Sequence, residues 1–292
     1  MPRLCFVADI HHGADHMTKK GSAAARLMEE FRAFIADAKP DAVIDLGDRI
    51  SDVDRATDLR LAAEAAEMFA PITPPRHHLC GNHDRDHLSV PDNEEILGRP
   101  LASETVELDG WTLVLWRADS RIHPGVGFVL PEADLLWLAG VVARATKPLL
   151  VVSHVPVSGH DQTGNYYFER NPDASTYPGG WQRALAVLQK ASVPVSCIAG
   201  HVHWNTLTVR GGQPHLTLQS LTETFTTHPD PAGAFALLEL SDTEISWTVH
   251  GLDPLHLRLP VAAAARRWVE PLPPFHEIPE VRARLRAARA AE

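Results

Sequence analysis

Cysteine is scarce in this chain: Cys5, Cys80 and Cys197 are the only three in 292 residues. An odd count without paired spacing excludes a disulfide framework. Each lies in or at the end of an apolar run, where a thiol serves as a small buried side chain. Long hydrophobic runs are missing too. No apolar stretch reaches the ~18 residues of a membrane-spanning helix. The N-terminal Met1 to Asp9 lacks the long apolar region of a signal peptide, so the expectation is a cytoplasmic protein with no membrane partner. Basic charge is in deficit, with 27 Lys and Arg against 37 Asp and Glu and a formal net charge of −10. A nucleic-acid partner, whose phosphates are usually met by a basic face, is not expected. That count leaves room for a local positive site, because bound metal ions supply charge that the sequence does not record.

What remains is soluble globular material, 45% hydrophobic and 22% charged. It suffices for one large α/β domain, expected over residues 1–254, with 255–292 as a tail. Leu4 to Ala8 is a buried strand that ends at Asp9-Ile10-His11-His12-Gly13. Ser22 can cap a helix carrying Leu27, Phe31, Phe34 and Ile35 on one face, and Lys39-Pro40 stops it. Ala42 to Leu46 is a second strand, running into Gly47-Asp48. A helix over Arg55 to Ala70 leads to a third strand, His77 to Cys80, which delivers Gly81-Asn82-His83-Asp84.

The Asp109-Gly110 turn predicts a hairpin, Leu130 to Arg144 a helix, and Leu149 to Val152 a strand ending at His154. A long polar loop, Gly159 to Gly180, carries Tyr166, Tyr167 and Phe168; loops of this length are often functional. Trp181 to Lys190 is helical, and Val193 to Ala199 is a strand ending at Gly200-His201-Val202-His203. Successive antiparallel strands follow to His250. The tail ends in a short helix, Glu280 to Ala291, with Val281, Leu285 and Ala288 on one side; it can pack on its own domain or on a second copy in a homo-oligomer.

Five strand exits thus carry Asp9 and His11, then Asp48, then Asn82, His83 and Asp84, then His154, then His201 and His203. Parallel sheets bind ligands at this end of their strands. Asp, Asn and His all bind hard or borderline cations through O or N. In extended chain, residues i and i+2 point to the same side, so Asp-x-His and His-x-His can each reach one ion. Adjacent residues in extended chain, such as Asn82 and His83, point opposite ways, so a sharp turn is expected at Gly81 if both are to serve one site.

The five blocks, in this order, resemble the calcineurin-like metallophosphoesterases over about Leu4 to Leu240. The resemblance implies a four-layer α/β/β/α sandwich of two mixed β-sheets flanked by helices. It implies two divalent metal ions per chain, Mn, Fe, Zn or Co, with Asp9, His11 and His203 on the first, Asn82, His154 and His201 on the second, and Asp48 bridging both. It places His83 beside the phosphate, oriented by Asp84. The implied activity is hydrolysis of phosphoric esters by a metal-bridging hydroxide. The stretch after His203 is similar to bacterial cyclic-nucleotide and glycerophosphodiester phosphodiesterases, while Glu223-Thr224 resembles manganese-dependent ADP-ribose/CDP-alcohol diphosphatases. Small organic phosphodiesters are the expected substrates, with diphosphates and monoesters as alternatives and a non-catalytic scaffold as a remote one. His12, His16, Tyr166 and Tyr167 are candidate substrate contacts, together with Asp15 and His123.

Overall fold

The computed structural model describes residues 1–261 and 272–290. β1 (Arg3–Val7), α1 (Ala24–Ala38), β2 (Ala42–Asp45), α2 (Arg55–Phe69) and β3 (Arg76–His78) alternate as the apolar periodicity predicts. The Ser22 cap does not form: Ser22 lies in a 3-10 turn before α1 and donates its hydroxyl to Asp15 instead. α3 (Val90–Leu97) is an addition. Ser89 and Asp92 cap each other's backbone groups there, which lets a helix of 8 residues persist. β4 (Glu104–Glu107) and β5 (Thr112–Leu115) form the expected hairpin. A small hairpin, β6 (Ile122–His123) and β7 (Gly127–Phe128), precedes α4 (Glu132–Arg144). Then come β8 (Leu149–Ser153), α5 (Trp181–Leu188), β9 (Val195–Ala199), β10 (Thr206–Arg210), β11 (Gln213–Thr217), β12 (Phe235–Leu240), β13 (Glu244–His250), β14 (Leu255–Pro260) and α6 (Pro279–Ala290).

The strands build two six-stranded mixed sheets, β14-β13-β12-β1-β2-β3 and β10-β11-β9-β8-β5-β4. β1 shows why they stack. Leu4 and Phe6 face the core between the sheets, with Leu150, Ile198 and Trp247. Cys5 and Val7 face outward onto Leu27, Phe31 and Ile35 of α1. β8 repeats this in the second sheet, with Leu150 and Val152 inward and Leu149 and Val151 against α4 and α5. A strand buried on both faces must be apolar throughout. The result is the helix–sheet–sheet–helix sandwich, and on the inner face of its first sheet Phe6 and Trp247 meet edge to face at 5.4 Å.

The strands after His203 divide between the sheets. β11 pairs parallel with β9 and antiparallel with β10, while β12, β13 and β14 extend the first sheet. The segment expected as a tail from Leu255 opens with a strand, β14. β14 pairs with β13 from Glu244↔Pro260 to Val249↔Leu255. Leu255, Leu257 and Leu259 pack on the inter-sheet core, and His256 and Arg258 are exposed. Alternation of period two is what a half-buried edge strand requires, and we propose that the appended segment starts after it. Residues 262–271, and the Leu285 and Ala288 side chains expected on the apolar side of the tail helix, lie outside the described residues. Among the described residues no helix is long and apolar enough to cross a membrane.

β1, β2 and β3 run parallel in one sheet, as do β5, β8, β9 and β11 in the other. The C-terminal exits of β1, β2, β3, β8 and β9 therefore converge.

Candidate active site

Backbone bonds knit the exits together. Asp9 N–H donates to Gly47 O and His11 N–H to Asp48 O, both at 3.0 Å. His201 N–H donates to the Asp9 carboxylate at 3.0–3.1 Å, joining the first sheet to the second. The segments are not extended. Asp9, His11, Asp48, His201 and His203 all have left-handed backbones, with φ of 51°, 46°, 55°, 69° and 59°. Such residues cost of order 1–3 kcal/mol each and collect at functional sites. The expectation that i and i+2 share one ion is therefore corrected for His201 and His203, which turn to different clusters. Asp9, His11, Asp48 and His203 offer ligand atoms within 4.8 Å of one another, and so do Asp48, His154 and His201. Asp48 belongs to both groups.

Gly81 makes room for that shared carboxylate. A Cβ there would lie 2.0 Å from Asp48 Oδ1, so close approach, not an unusual φ, requires glycine. The chain does turn here, with Arg85 N–H closing on Asn82 O at 3.0 Å.

Hydrogen bonds fix which imidazole nitrogens carry protons, since a carbonyl or carboxylate only accepts. His154 Nδ1 faces Leu46 O at 2.9 Å, and His203 Nδ1 faces Glu223 Oε2 at 2.9 Å. In both rings Nε2 is left as a lone pair. His154 Nε2 stands 3.3 Å from Asn82 Oδ1 and 3.5 Å from Asp48 Oδ2. His203 Nε2 stands 2.9 Å from His11 Nε2. His201 Nε2 is bonded to Ala174 O at 2.9 Å, which frees Nδ1. Burial pushes the His201 pKa down to about 3 and holds those of His11 and His203 below the ordinary imidazole range. Neutral imidazoles are what metal binding needs. Asp48 Oδ2 is buried with no hydrogen-bond partner. Acceptors converging on a buried, unpartnered carboxylate oxygen fit a cation, and the all-N/O donor set fits a divalent one.

The expected pairing of His83 with Asp84 is corrected. His83 Nδ1 is hydrogen-bonded to Asp52. Asp84 is buried and accepts from the N–H groups of Gly81, Asp48 and Arg49 at 2.9, 2.8 and 3.0 Å. It also pairs with the buried Arg49 guanidinium at 3.3 Å. Adjacent side chains in the turn diverge, so Asp84 anchors the backbone while His83 faces the opening. Burial pulls the His83 pKa down, but the Asp48 and Asp52 carboxylates outweigh it and hold the imidazole above its ordinary value.

Two cavities open over these residues. The first, about 310 Å³, is lined by Asp48, His83, His201 and His203 and walled by Met17, Ile122, Tyr167 and Phe168. The second, about 320 Å³, is lined by Asp15, Ser51, Asp52 and Val53. His16, Lys19 and His83 line both. Among the expected substrate contacts, Asp15, His16 and Tyr167 therefore face the cavities. His12 does not: its Nε2 bonds Glu64 on α2 at 2.8 Å, because it points opposite to its neighbour His11. Tyr166 is 57% exposed and stacks beside Phe225 on the rim. His123 lies outside both linings, where its neighbour Ile122 stands instead. Lys19, Asp52 and Glu223 carry no roles in the motif pattern, since each gains one only from residues distant in sequence. The sequence does point to Glu223 through the likeness of Glu223-Thr224 given above, and the structure buries the whole of Gln219 to Thr224, polar at five of six positions.

A family model described as calcineurin-like phosphoesterase matches residues 2–205. Among solved structures, the chain is similar to a dimetal phosphatase from Danio rerio, at 18% identity and a TM-score of 0.70, covering 90% of this chain and 99% of that one. It is also similar to the protein TT1561 of Thermus thermophilus, at 11% identity and a TM-score of 0.55, covering 86% and 99%. A third is GAP50, named as the anchor in the inner membrane complex of Plasmodium, at 12% identity and 0.54, covering 88% and 89%. At these identities the likeness is one of fold. None of the curated proteins matches the chain.

Proposed function

Because the chain belongs to the calcineurin-like phosphoesterase family, we propose that it is a dinuclear metal-dependent hydrolase of small organic phosphodiesters. The observation that carries the reading is the shared, buried Asp48, whose Oδ2 has no partner and around which both ligand clusters close. Asp9, His11 and His203 would hold one ion, Asn82, His154 and His201 the other, and Asp48 both; Mn, Fe, Zn or Co suits such donors. When bound, divalent ions there would supply positive charge for a phosphoryl group and make water more acidic.

The chain's own groups do the rest. Glu223 and the Leu46 carbonyl fix the His203 and His154 tautomers, a support that typically matters ten- to a hundredfold in metal affinity or activity. Asp52 fixes Nδ1–H of His83, leaving Nε2 toward the first cavity, 4.0 Å from Asp48 Oδ2. His83 there can protonate a departing alkoxide oxygen, a role worth roughly 10²–10⁴-fold in rate. Preference for a diester is supported by the two cavities that meet at His83 and Lys19. A phosphate at the junction has space for an ester arm on each side, whereas a monoester leaves one cavity unfilled.

The test is turnover of bis-p-nitrophenyl phosphate and p-nitrophenyl phosphate by Mn²⁺-loaded protein, alongside elemental analysis. Two metals per chain and faster diester hydrolysis are expected. Bound metal without turnover of either ester overturns the reading. A panel of cyclic AMP, glycerophosphocholine and ADP-ribose then separates diesterase from diphosphatase.

A further inference from the structure

Resting on the phosphoesterase reading above, we infer that Lys19 is a substrate-binding residue whose ammonium group takes a phosphoryl oxygen at the junction of the two cavities. Lys19 is only 6% exposed, yet it lines both cavities. Lysine is seldom buried to this degree unless paired. Its neighbour Lys20 has an ion-pair partner, Asp15, at 3.5 Å. Among the described residues Lys19 has none within that range, and its amine makes no hydrogen bond there. The carboxylates of Asp48, Asp52, Glu223 and Asp9 surround it at longer range. Two of these are assigned to metals, Asp52 is bonded to His83 and Glu223 to His203. With the metals in place, the ammonium group is left facing a net positive centre. That arrangement favours the entry of an anion.

The backbone around Lys19 is built to hold it still. Its N–H and C=O both pair with His16, at 2.9 and 3.0 Å. Thr18 O accepts from Thr224 N–H at 3.0 Å, and Lys20 N–H donates to Thr222 O at 2.9 Å. On the far side Gly21 presses on the β1 exit, where a Cβ would lie 2.4 Å from His11 O. Thr18 Oγ1 also meets the Tyr167 hydroxyl at 2.7 Å. A flexible four-carbon stem is thus carried on a clamped segment, which lowers the ordering cost of each charge-assisted contact.

The experiment compares metal-loaded wild type, Lys19→Met and Lys19→Arg, with inorganic phosphate as probe. Calorimetric phosphate binding to Lys19→Met is expected to weaken roughly ten- to a hundredfold, the value of a hydrogen bond to a charged group. Lys19→Arg should recover most of it. Metal content should equal that of wild type, and Lys19→Met should melt no lower, since it removes a buried charge without a partner. With bis-p-nitrophenyl phosphate, kcat/KM should fall with phosphate affinity. Phosphate binding and kcat/KM unchanged in Lys19→Met, with wild type active, would overturn the role of Lys19 and leave the phosphoesterase reading intact. A loss that tracks lost metal or a lowered melting point, and that arginine does not restore, also overturns it. A metal-loaded wild type that neither hydrolyses esters nor binds phosphate refutes the underlying reading, and the inference falls with it.

Discussion

Asp52 and Asp84 flank the same turn, but the bonds they make are of different kinds. Asp52 is partly exposed and bonds a side chain, the His83 ring. Asp84 is buried and bonds the backbone of Gly81, Asp48 and Arg49 plus the Arg49 guanidinium. Their removal should therefore be felt in different measurements. Asp52→Ala is expected to lower kcat about 10–100-fold with metal content and melting point near wild type. It should also move the basic limb of the pH–rate profile toward acid. The Asp52 carboxylate raises the His83 pKa, so without it the imidazolium deprotonates at lower pH and the protonated donor is lost sooner. A basic limb that stays in place would show that Asp52 does not set His83. Asp84→Ala leaves Arg49 buried with one carboxylate fewer, and breaking a buried pair costs about 3–5 kcal/mol. Its signature should be a lower denaturation midpoint in chelator, where metal cannot contribute. An unchanged midpoint would refute the structural role assigned to Asp84.

Strand exits and turns are where the architecture reaches the site, and Gly81 is the tightest point. Gly81→Ala places a methyl group 2.0 Å from Asp48 Oδ1 and 2.5 Å from Asp48 N. Either the Asp48 turn or the Asn82 turn must yield, so bound metal should fall below two per chain while circular dichroism of the sandwich is kept. Full occupancy in this variant would sink the claim that the two exits are coupled through that contact. Farther out, His215 on β11 is buried and its Nε2 lacks a partner. Burial, with Arg210 adding to it, pushes the His215 pKa down to about 4 from 6.5. Between those values the unfolded chain binds a proton that the folded protein does not, so stability falls as pH drops from 6.5 toward 4. The loss at pH 5 is about 2 kcal/mol. His215→Gln, compared with wild type in chelator, should flatten the stability–pH slope in that window, and an equal slope refutes the assignment. These cases mark what was legible in the sequence. β1, β2, β8 and β9 were, because strands buried on both faces read as unbroken apolar runs, and their exits carry the Asp and His residues in motif order. β14 was not, because the leucine alternation of Leu255–Pro260 runs into a proline and lies beyond the last motif. The roles of Lys19, Asp52 and Glu223 are not legible either: Asp52 and Glu223 meet His83 and His203 from other exits, and Lys19 meets the site only through the cavities it lines, none of which a local period encodes. The left-handed backbone at Asp9, His11, Asp48, His201 and His203 also defeats arguments from extended-chain geometry.

At the scale of the whole molecule the site is a seam. The exits of β1, β2 and β3 come from one sheet and those of β8 and β9 from the other, and the two sheets meet over an apolar core. At the seam that core gives way to buried acids. Asp9 and Asp48 offer oxygens within 4.8 Å of each other at 0% and 1% exposure. Without metal, two carboxylates so placed repel each other in a region of low dielectric, and burial with the Asp48 charge holds the Asp9 pKa well above the usual carboxylate range. The metal-free protein should be strained at the join between its sheets, and divalent ions should relieve it. At a free metal concentration about 100-fold above Kd, binding adds roughly 2.7 kcal/mol, which for a chain of this size raises Tm by roughly 5–10 °C. Asp9→Asn separates the two contributions. An amide oxygen at position 9 can still accept from His201 N–H, so the cross-sheet bond survives, while one of the opposed charges is gone. At pH 8 with chelator the variant should melt above wild type by several degrees. With Mn²⁺ the order should reverse, because only wild type has the full ligand set. The crossing of the two melting curves is the diagnostic result. A variant that melts below wild type in both conditions would mean that the Asp9 charge strengthens the bond to His201 N–H more than it strains the join, and that the seam is an ordinary polar contact and not a site kept under tension for metal.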